Sequence, residues 1–172
     1  SEALPGEVAR QCETFADSKK IIGLVLDLRF AEGEDYEAVV AVADLFIATE
    51  KPLLDWGKGI VKSSANDQAL NWPVAVLVNG ETTGAAEALA AGLREARGAL
   101  ILGRSTRGAA MTATDFPLQD GQRLRIATAP VKLGDGTPLS AQGVQPDIVV
   151  SATPEMERAY LADPYANVSR TN

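Results

Sequence analysis

Two groups of hydroxyl side chains in this 172-residue chain have the chemistry of potential nucleophiles. Thr82 and Thr83 follow Glu81 in a turn that Gly84 closes, with Glu87 three residues further on, and Ser105 and Thr106 stand between Arg104 and Arg107. A hydroxyl attacks a carbonyl only when a base within hydrogen-bond reach takes its proton. The chain has no His, which removes Ser-His-Asp triads, Cys-His dyads and the common His-based zinc sites. The base must then be Lys, Asp, Glu or Tyr. Glu81 or Glu87 is near enough in sequence to serve Thr83, whereas Lys19, Lys20, Lys51, Lys58, Lys62 and Lys132 all lie outside both turns, so Lys58 or Lys62 would have to fold back. The competing reading gives these hydroxyls to turn backbone and helix capping, and gives Glu87 to the favourable dipole of a first helical turn.

The elements that must hold these residues follow from apolar spacing. Val8, Cys12 and Phe15 recur at helical intervals over residues 6 to 18, and Tyr36, Val39, Val40, Ala43, Phe46 and Ile47 do so over 35 to 48. Between them, Ile21 to Leu26 is a near-continuous apolar run of strand length, the pattern of a parallel strand covered on both faces. Strand, turn and helix recur at Val74–Val78, Asn79–Gly84 and Ala85–Arg97, where Gly98 supplies a C-terminal stop, and Ala99 to Leu102 gives the next buried strand. Residues 50 to 71, rich in Pro, Gly, Lys, Ser and Asn, read as a connection with an edge strand at most, and Trp56 and Trp72 at its flanks read as packing residues. Asp120-Gly121 and Gly134-Asp135-Gly136 mark the turns of an antiparallel ribbon over 116 to 139. Ile148 to Val150 makes a last strand, followed by a short helix near 154 to 162 and a loose tail from about 163, in which Asn167-Val168-Ser169 fits a glycosylation sequon.

Composition bounds the functions. With 46% hydrophobic and 23% charged residues the chain reads as one globular domain over 1–172. A net charge of -7 with scattered basic residues argues against a nucleic-acid partner, and no apolar run approaches the roughly 20 residues of a membrane-spanning helix. The single Cys12 reads as a small core residue.

Four segments in order resemble the carboxyl-terminal processing, or tail-specific, serine proteases. Gly23-Leu24-Val25-Leu26-Asp27-Leu28-Arg29 is similar to the family's G-L-I-L-D-L-R, which runs there into N-x-P-G-G and here into Phe30-Ala31-Glu32-Gly33-Glu34. Val76-Leu77-Val78-Asn79 with Glu87 is similar to V-L-V-N-x-x-S-A-S-A-S-E, Gly103-Arg104-Ser105-Thr106-Arg107-Gly108 to G-E-T-T-F-G, and Gly143 to Val150 to G-I-x-P-D-I-V-V. The resemblance implies a mixed α/β fold of the ClpP-crotonase type, with layered βαβ units and an antiparallel ribbon near the C-terminus. It implies a Ser nucleophile three residues before the motif's Glu, a Lys base after the third motif, and a helper Gln four residues beyond the Lys. Those positions hold Gly84, Ala109 and Ala113. The backbone N–H groups at Gly33 and Ala85 correspond to the family's oxyanion hole. No segment corresponds to the peptide-binding PDZ unit that active members carry.

The expectation is therefore a catalytically degenerate member that binds an extended peptide or protein C-terminus, or serves as a scaffold, with no cofactor and no metal, in an extracytoplasmic compartment such as the periplasm or cell envelope. Two enzymatic alternatives stand beside it. One is a peptidase with a relocated nucleophile at Thr82, Thr83 or Ser105. The other is a crotonase-like acyl-thioester enzyme using carboxylates from Glu32, Glu34 and Glu81.

Overall fold

A computed structural model describes residues 3–16 and 21–164, with side chains placed from Gly6 to Thr14 in the first segment. The loose tail and the sequon at Asn167 lie outside the described residues. Helix α1 spans Ala3–Ala16, β1 Leu24–Asp27, α2 Tyr36–Asp44, β2 Pro52–Asp55, β3 Val61–Lys62, β4 Val74–Val78 and α3 Ala85–Arg97. Strand β5 follows at Leu100–Gly103, then β6 Met111–Pro117, β7 Arg123–Pro130, β8 Lys132–Leu133, β9 Ile148–Val149 and α4 Pro154–Ala162. The class is mixed α/β, with a parallel sheet beside antiparallel strands.

The parallel sheet has the order β1-β4-β5-β9, in register through Val25, Ala75 and Leu100, and through Asp27, Leu77, Leu102 and Ile148. Side chains alternate between the two faces of a strand. Val74, Val76, Val78 and Ile101 point into the core with Val39, Val42, Phe46, Leu89 and Leu93 of the two covering helices. Helix α3 can approach closely because Ala85, Ala88, Ala90 and Ala91 on its buried surface carry only a methyl group. Asp35 accepts from the Ala38 N–H to start α2, and Gly98 in the left-handed conformation ends α3.

Several sequence expectations are corrected. The first strand starts at Leu24 rather than Ile21, and among the described residues α2 and α3 cover one face of the sheet while much of the other stays open: Val25 and Ile148 remain 62% and 47% exposed. An apolar run records that both faces are apolar; it does not record what covers them. Among the described residues only α4 reaches the second face, over Leu77. Residues 50 to 71 are more ordered than a connection. Leu53 and Leu54 are buried in β2, the centre of a second sheet of order β3-β2-β8. The Pro and Gly residues that hide this sheet fall at its strand ends, Pro52 being the first residue of β2. The ribbon begins at Met111, pairs β6 with β7 through the Asp120-Gly121 turn, and leaves the second Gly-marked turn to β8. Helix α2 stops at Asp44, short of Ile47, and α1 begins before Pro5, which a first helical turn tolerates.

Candidate active-site cleft

The turn after β4 is built from its own side chains. Asn79 is fully buried, and its amide oxygen accepts from the N–H groups of Phe30, Glu81 and Thr82 at 3.2, 3.0 and 3.1 Å. Its amide nitrogen donates to Glu157 of α4 at 2.8 Å. Phe30 is held at φ 61, a conformation uncommon for a bulky side chain and favoured by Asn, the residue of the resembling motif. The backbone ties around it are Ala31 N–H to the Leu28 carbonyl and Thr83 N–H to the Ala31 carbonyl. The turn after β1 is thus laced onto the turn after β4.

Gly84 lies at the strand-to-helix corner with φ 62 and ψ -121, and the following Ala85 N–H donates to the Gly33 carbonyl at 2.7 Å. A Cβ at Gly84 would sit 2.2 Å from that carbonyl oxygen. No Cβ tolerates such a contact with backbone, so the turn after β1 fills the space that a side chain at 84 would need. The Ala85 N–H, one of the two candidate oxyanion-binding donors, is spent on that carbonyl; the other candidate, the Gly33 N–H, is not part of this bond.

Glu87, 1% exposed, gathers the motifs. One carboxylate oxygen accepts from the Thr106 hydroxyl and the Gly108 N–H, both at 2.5 Å; the other accepts from the N–H groups of Gly84 and Ala109 at 2.9 and 2.8 Å. Because Gly84 and Ala109 share one oxygen, their nitrogens are at most about 5.7 Å apart, and N–Cα bonds of about 1.46 Å bring their Cα atoms within about 9 Å. A Ser and a Lys at these places would be within hydrogen-bond reach of each other. Thr106 in turn accepts from the Val144 N–H at 2.8 Å, and the chain passes so close that a Cβ on Gly143 would lie 2.1 Å from the Thr106 carbonyl oxygen. The closing motif is completed by Asp147, whose carboxylate accepts from the Ile101 N–H at 2.8 Å.

These contacts leave an open cleft of about 710 Å³ whose lining includes Gly33, Thr83, Gly84, Ala109 and Ala113, with Glu32 and Glu34 on one wall and Met111, Arg125 and Ala127 on the other. The structure thus brings Gly84, Ala109 and Ala113 to one cavity. The hydroxyls divide. Thr82 is fully buried; its hydroxyl donates to the Leu28 carbonyl at 2.8 Å and accepts from the Asn79 N–H at 3.0 Å. Ser105 donates to the Gln145 side chain at 2.7 Å and does not line the cleft. Thr83 does line it, with no lysine beside it: among the described lysines, Lys58 and Lys62 pair with Glu37 and Glu50 at 2.6 and 2.8 Å, Lys51 donates to the Ala96 carbonyl at 2.5 Å, and none lines the cleft. Tyr36 is no substitute. Its hydroxyl donates to the Met111 carbonyl at 3.0 Å, and burial, with the charges of Glu34 and Glu87 adding to it, pushes the phenol above its usual range. Glu32 and Glu34 line the wall while Glu81 pairs with Arg158 at 2.6 Å outside it. Arg104 reaches Glu157 at 3.9 Å. Sequence reasoning does not single out Asn79, Glu157 or Arg125; Asn79 alone leaves a trace there, as the last residue of a matched motif.

Comparison with known proteins agrees with this geometry. The profile of Peptidase family S41 matches residues 1–150. The Carboxy-terminal-processing protease of Bartonella bacilliformis is 31% identical over 147 residues, covering 82% of this chain and 34% of the relative. The C-terminal processing peptidase, chloroplastic, of Tetradesmus obliquus is 31% identical over 144 residues, 81% of this chain and 31% of the relative. Among solved structures, the photosystem II D1 C-terminal processing protease superposes with a TM-score of 0.71 at 29% identity, over 86% of this chain and 39% of its own. The chain spans about a third of the length of the curated relatives it matches.

Proposed function

Since the chain belongs to Peptidase family S41, the S41 carboxyl-terminal processing proteases being its relatives, we propose that it is a member without hydrolytic activity that keeps the cleft as a binding groove for an extended peptide or protein C-terminus. The observation that carries this reading is the Gly33 carbonyl lying where a side chain at Gly84 would stand, opposite an Ala109 that has no amine. Acyl transfer needs a nucleophile and a base, and Gly and Ala are neither. Thr83, the one candidate hydroxyl in the cleft, faces no lysine among the described residues. Backbone recognition is different: a peptide adding alongside exposed strand and turn backbone uses main-chain hydrogen bonds and needs no catalytic side chain. Among the described residues the hairpin of β6 and β7 beside the cleft pairs only with itself and so offers open edges. Two curated relatives are named chloroplastic, and an extracytoplasmic site of action belongs to the same reading.

The test is direct. Casein and apolar-tailed peptides are expected to survive prolonged incubation, a fluorophosphonate probe is expected to leave the protein unlabelled, and amide resonances from Asn79 to Ala86 are expected to shift on adding millimolar extended peptide. Probe attachment at Thr82, Thr83 or Ser105 would restore the relocated peptidase. Absent shifts with absent hydrolysis would leave a scaffold.

A further inference from the structure

We propose that the groove is selective for extended segments carrying lysine or arginine, a preference that rests on the peptide-binding reading above. The cleft at Gly84 does not end there. A recess of about 310 Å³ adjoins it, shares Glu34, Tyr36, Met111, Ala113 and Arg125 with it, and runs on to Trp56 and Lys58. Because the Gly33 carbonyl occupies the Gly84 end, an occupant makes its side-chain contacts toward Met111 and Trp56.

Along that path one wall is acidic, with Glu32, Glu34 and Glu37. Among the described residues the cations lining the same path are Arg125 and Lys58, and both are engaged: Arg125 lies 3.3 Å from Glu34 and 3.8 Å from Asp115, and Lys58 lies 2.6 Å from Glu37. Glu32 has no ion-pair partner among the described residues, so the groove presents uncompensated negative charge to whatever lies in it. The far end adds a surface suited to a cation: Trp56 packs on Tyr36 with ring centroids 6.0 Å apart, and the Lys58 ammonium already stands 6.0 Å from the Trp56 ring. Opposite this wall, Ala113 and Ala127 leave room for a long side chain to lie flat. The net charge of -7 acts in the same sense, drawing cationic segments from a distance.

Fluorescence anisotropy with three labelled peptides sharing one apolar extended core, flanked by Lys, Gln or Glu, tests this on the whole chain. An exposed ion pair is worth up to about 5-fold in affinity, so several together are expected to make the Lys-flanked peptide bind about 10-fold or more tightly than the Glu-flanked one. Raising the salt from about 10 mM to about 150 mM shortens the screening length from about 30 Å to about 8 Å and is expected to cut that ratio severalfold. Glu32→Lys is expected to reduce the ratio to about 2-fold or less by local charge reversal. Glu95→Lys, which makes the same change in net charge on an exposed residue remote from the groove, is expected to leave it within about 2-fold of the parent. Equal binding of the three peptides overturns the charge preference alone, and equal effects of the two reversals overturn its placement in the groove. Binding of none overturns the peptide-binding reading with it.

Discussion

Glu87→Ala is expected to lose about 4 kcal/mol or more of folding stability, read as a fall of about 2 M in the urea midpoint. The carboxylate is 1% exposed and accepts four hydrogen bonds, from Gly84, Thr106, Gly108 and Ala109, so its removal leaves two buried donors, at Gly84 and Thr106, and two part-buried ones without their acceptor. A hydrogen bond to a charged group contributes about 1.5–3 kcal/mol, and each buried donor left unmatched costs about 1–3 kcal/mol, less whatever water recovers in the vacated space. Against a total stability of about 5–15 kcal/mol this is a large fraction. Glu87→Gln is expected to cost about half as much, because its amide oxygen can still accept from two donors while its NH₂ faces the other two. A loss below about 1 kcal/mol for Glu87→Ala would mean that the third-motif loop is held by contacts other than this carboxylate.

That result would give the Glu of the second motif a structural duty independent of proton transfer. The residue fastens the turn at Gly84 to the loop at Ala109, two positions that hold neither Ser nor Lys. Asn79 does comparable work for the turn after β1, through three accepted N–H groups and one bond to α4. The Asn and the Glu of that motif fasten loops to one another in this chain.

The legibility of the chain follows from the range of the forces involved. Helical periodicity and the apolar runs of β1, β4 and β5 are local signals, and they place those elements to within a few residues. Gly84, Ala109 and Ala113 can be aligned in sequence because the motifs around them are contiguous. The second sheet escapes a sequence reading because Leu53 and Leu54 join the core from a strand whose partner β8 is nearly 80 positions away, under a local composition that resembles a loop. The partly open second face of the parallel sheet escapes it because its residues, Asp27 apart, are apolar like those of the covered face. The masking of Ala85 by the Gly33 carbonyl leaves no trace in sequence, since it depends on the relative position of two turns 52 residues apart.

On the proposed reading, that masking decides the outcome of an attempt to install a nucleophile and a base in the cleft. Gly84→Ser combined with Ala109→Lys returns a nucleophile and a base at Cα positions within about 9 Å, yet the variant is expected to show no fluorophosphonate labelling and no casein cleavage. A serine Cβ at 84 would start 2.2 Å from the Gly33 oxygen, and a side chain at φ 62 adds about 1–3 kcal/mol of strain, so the variant is also expected to be less stable than the parent. The Ala85 N–H that should stabilise an oxyanion is taken by the same carbonyl at 2.7 Å, and losing one such donor typically costs a factor of about 10²–10³ in rate. Relief requires the turn after β1 to move, and it has some room, since an apolar cavity of about 130 Å³ lined by Leu28, Val39, Val42, Ala85 and Leu89 lies beneath it. Hydrogen exchange at Ala85 separates the cases. A protected amide in the double variant, with no turnover, means that the carbonyl stays in place and that the turn, as much as the missing side chains, keeps this site inactive. An exposed amide accompanied by probe labelling of the introduced serine would show that the turn yields to the new side chain, and that loss of the Ser and Lys alone silenced the chemistry.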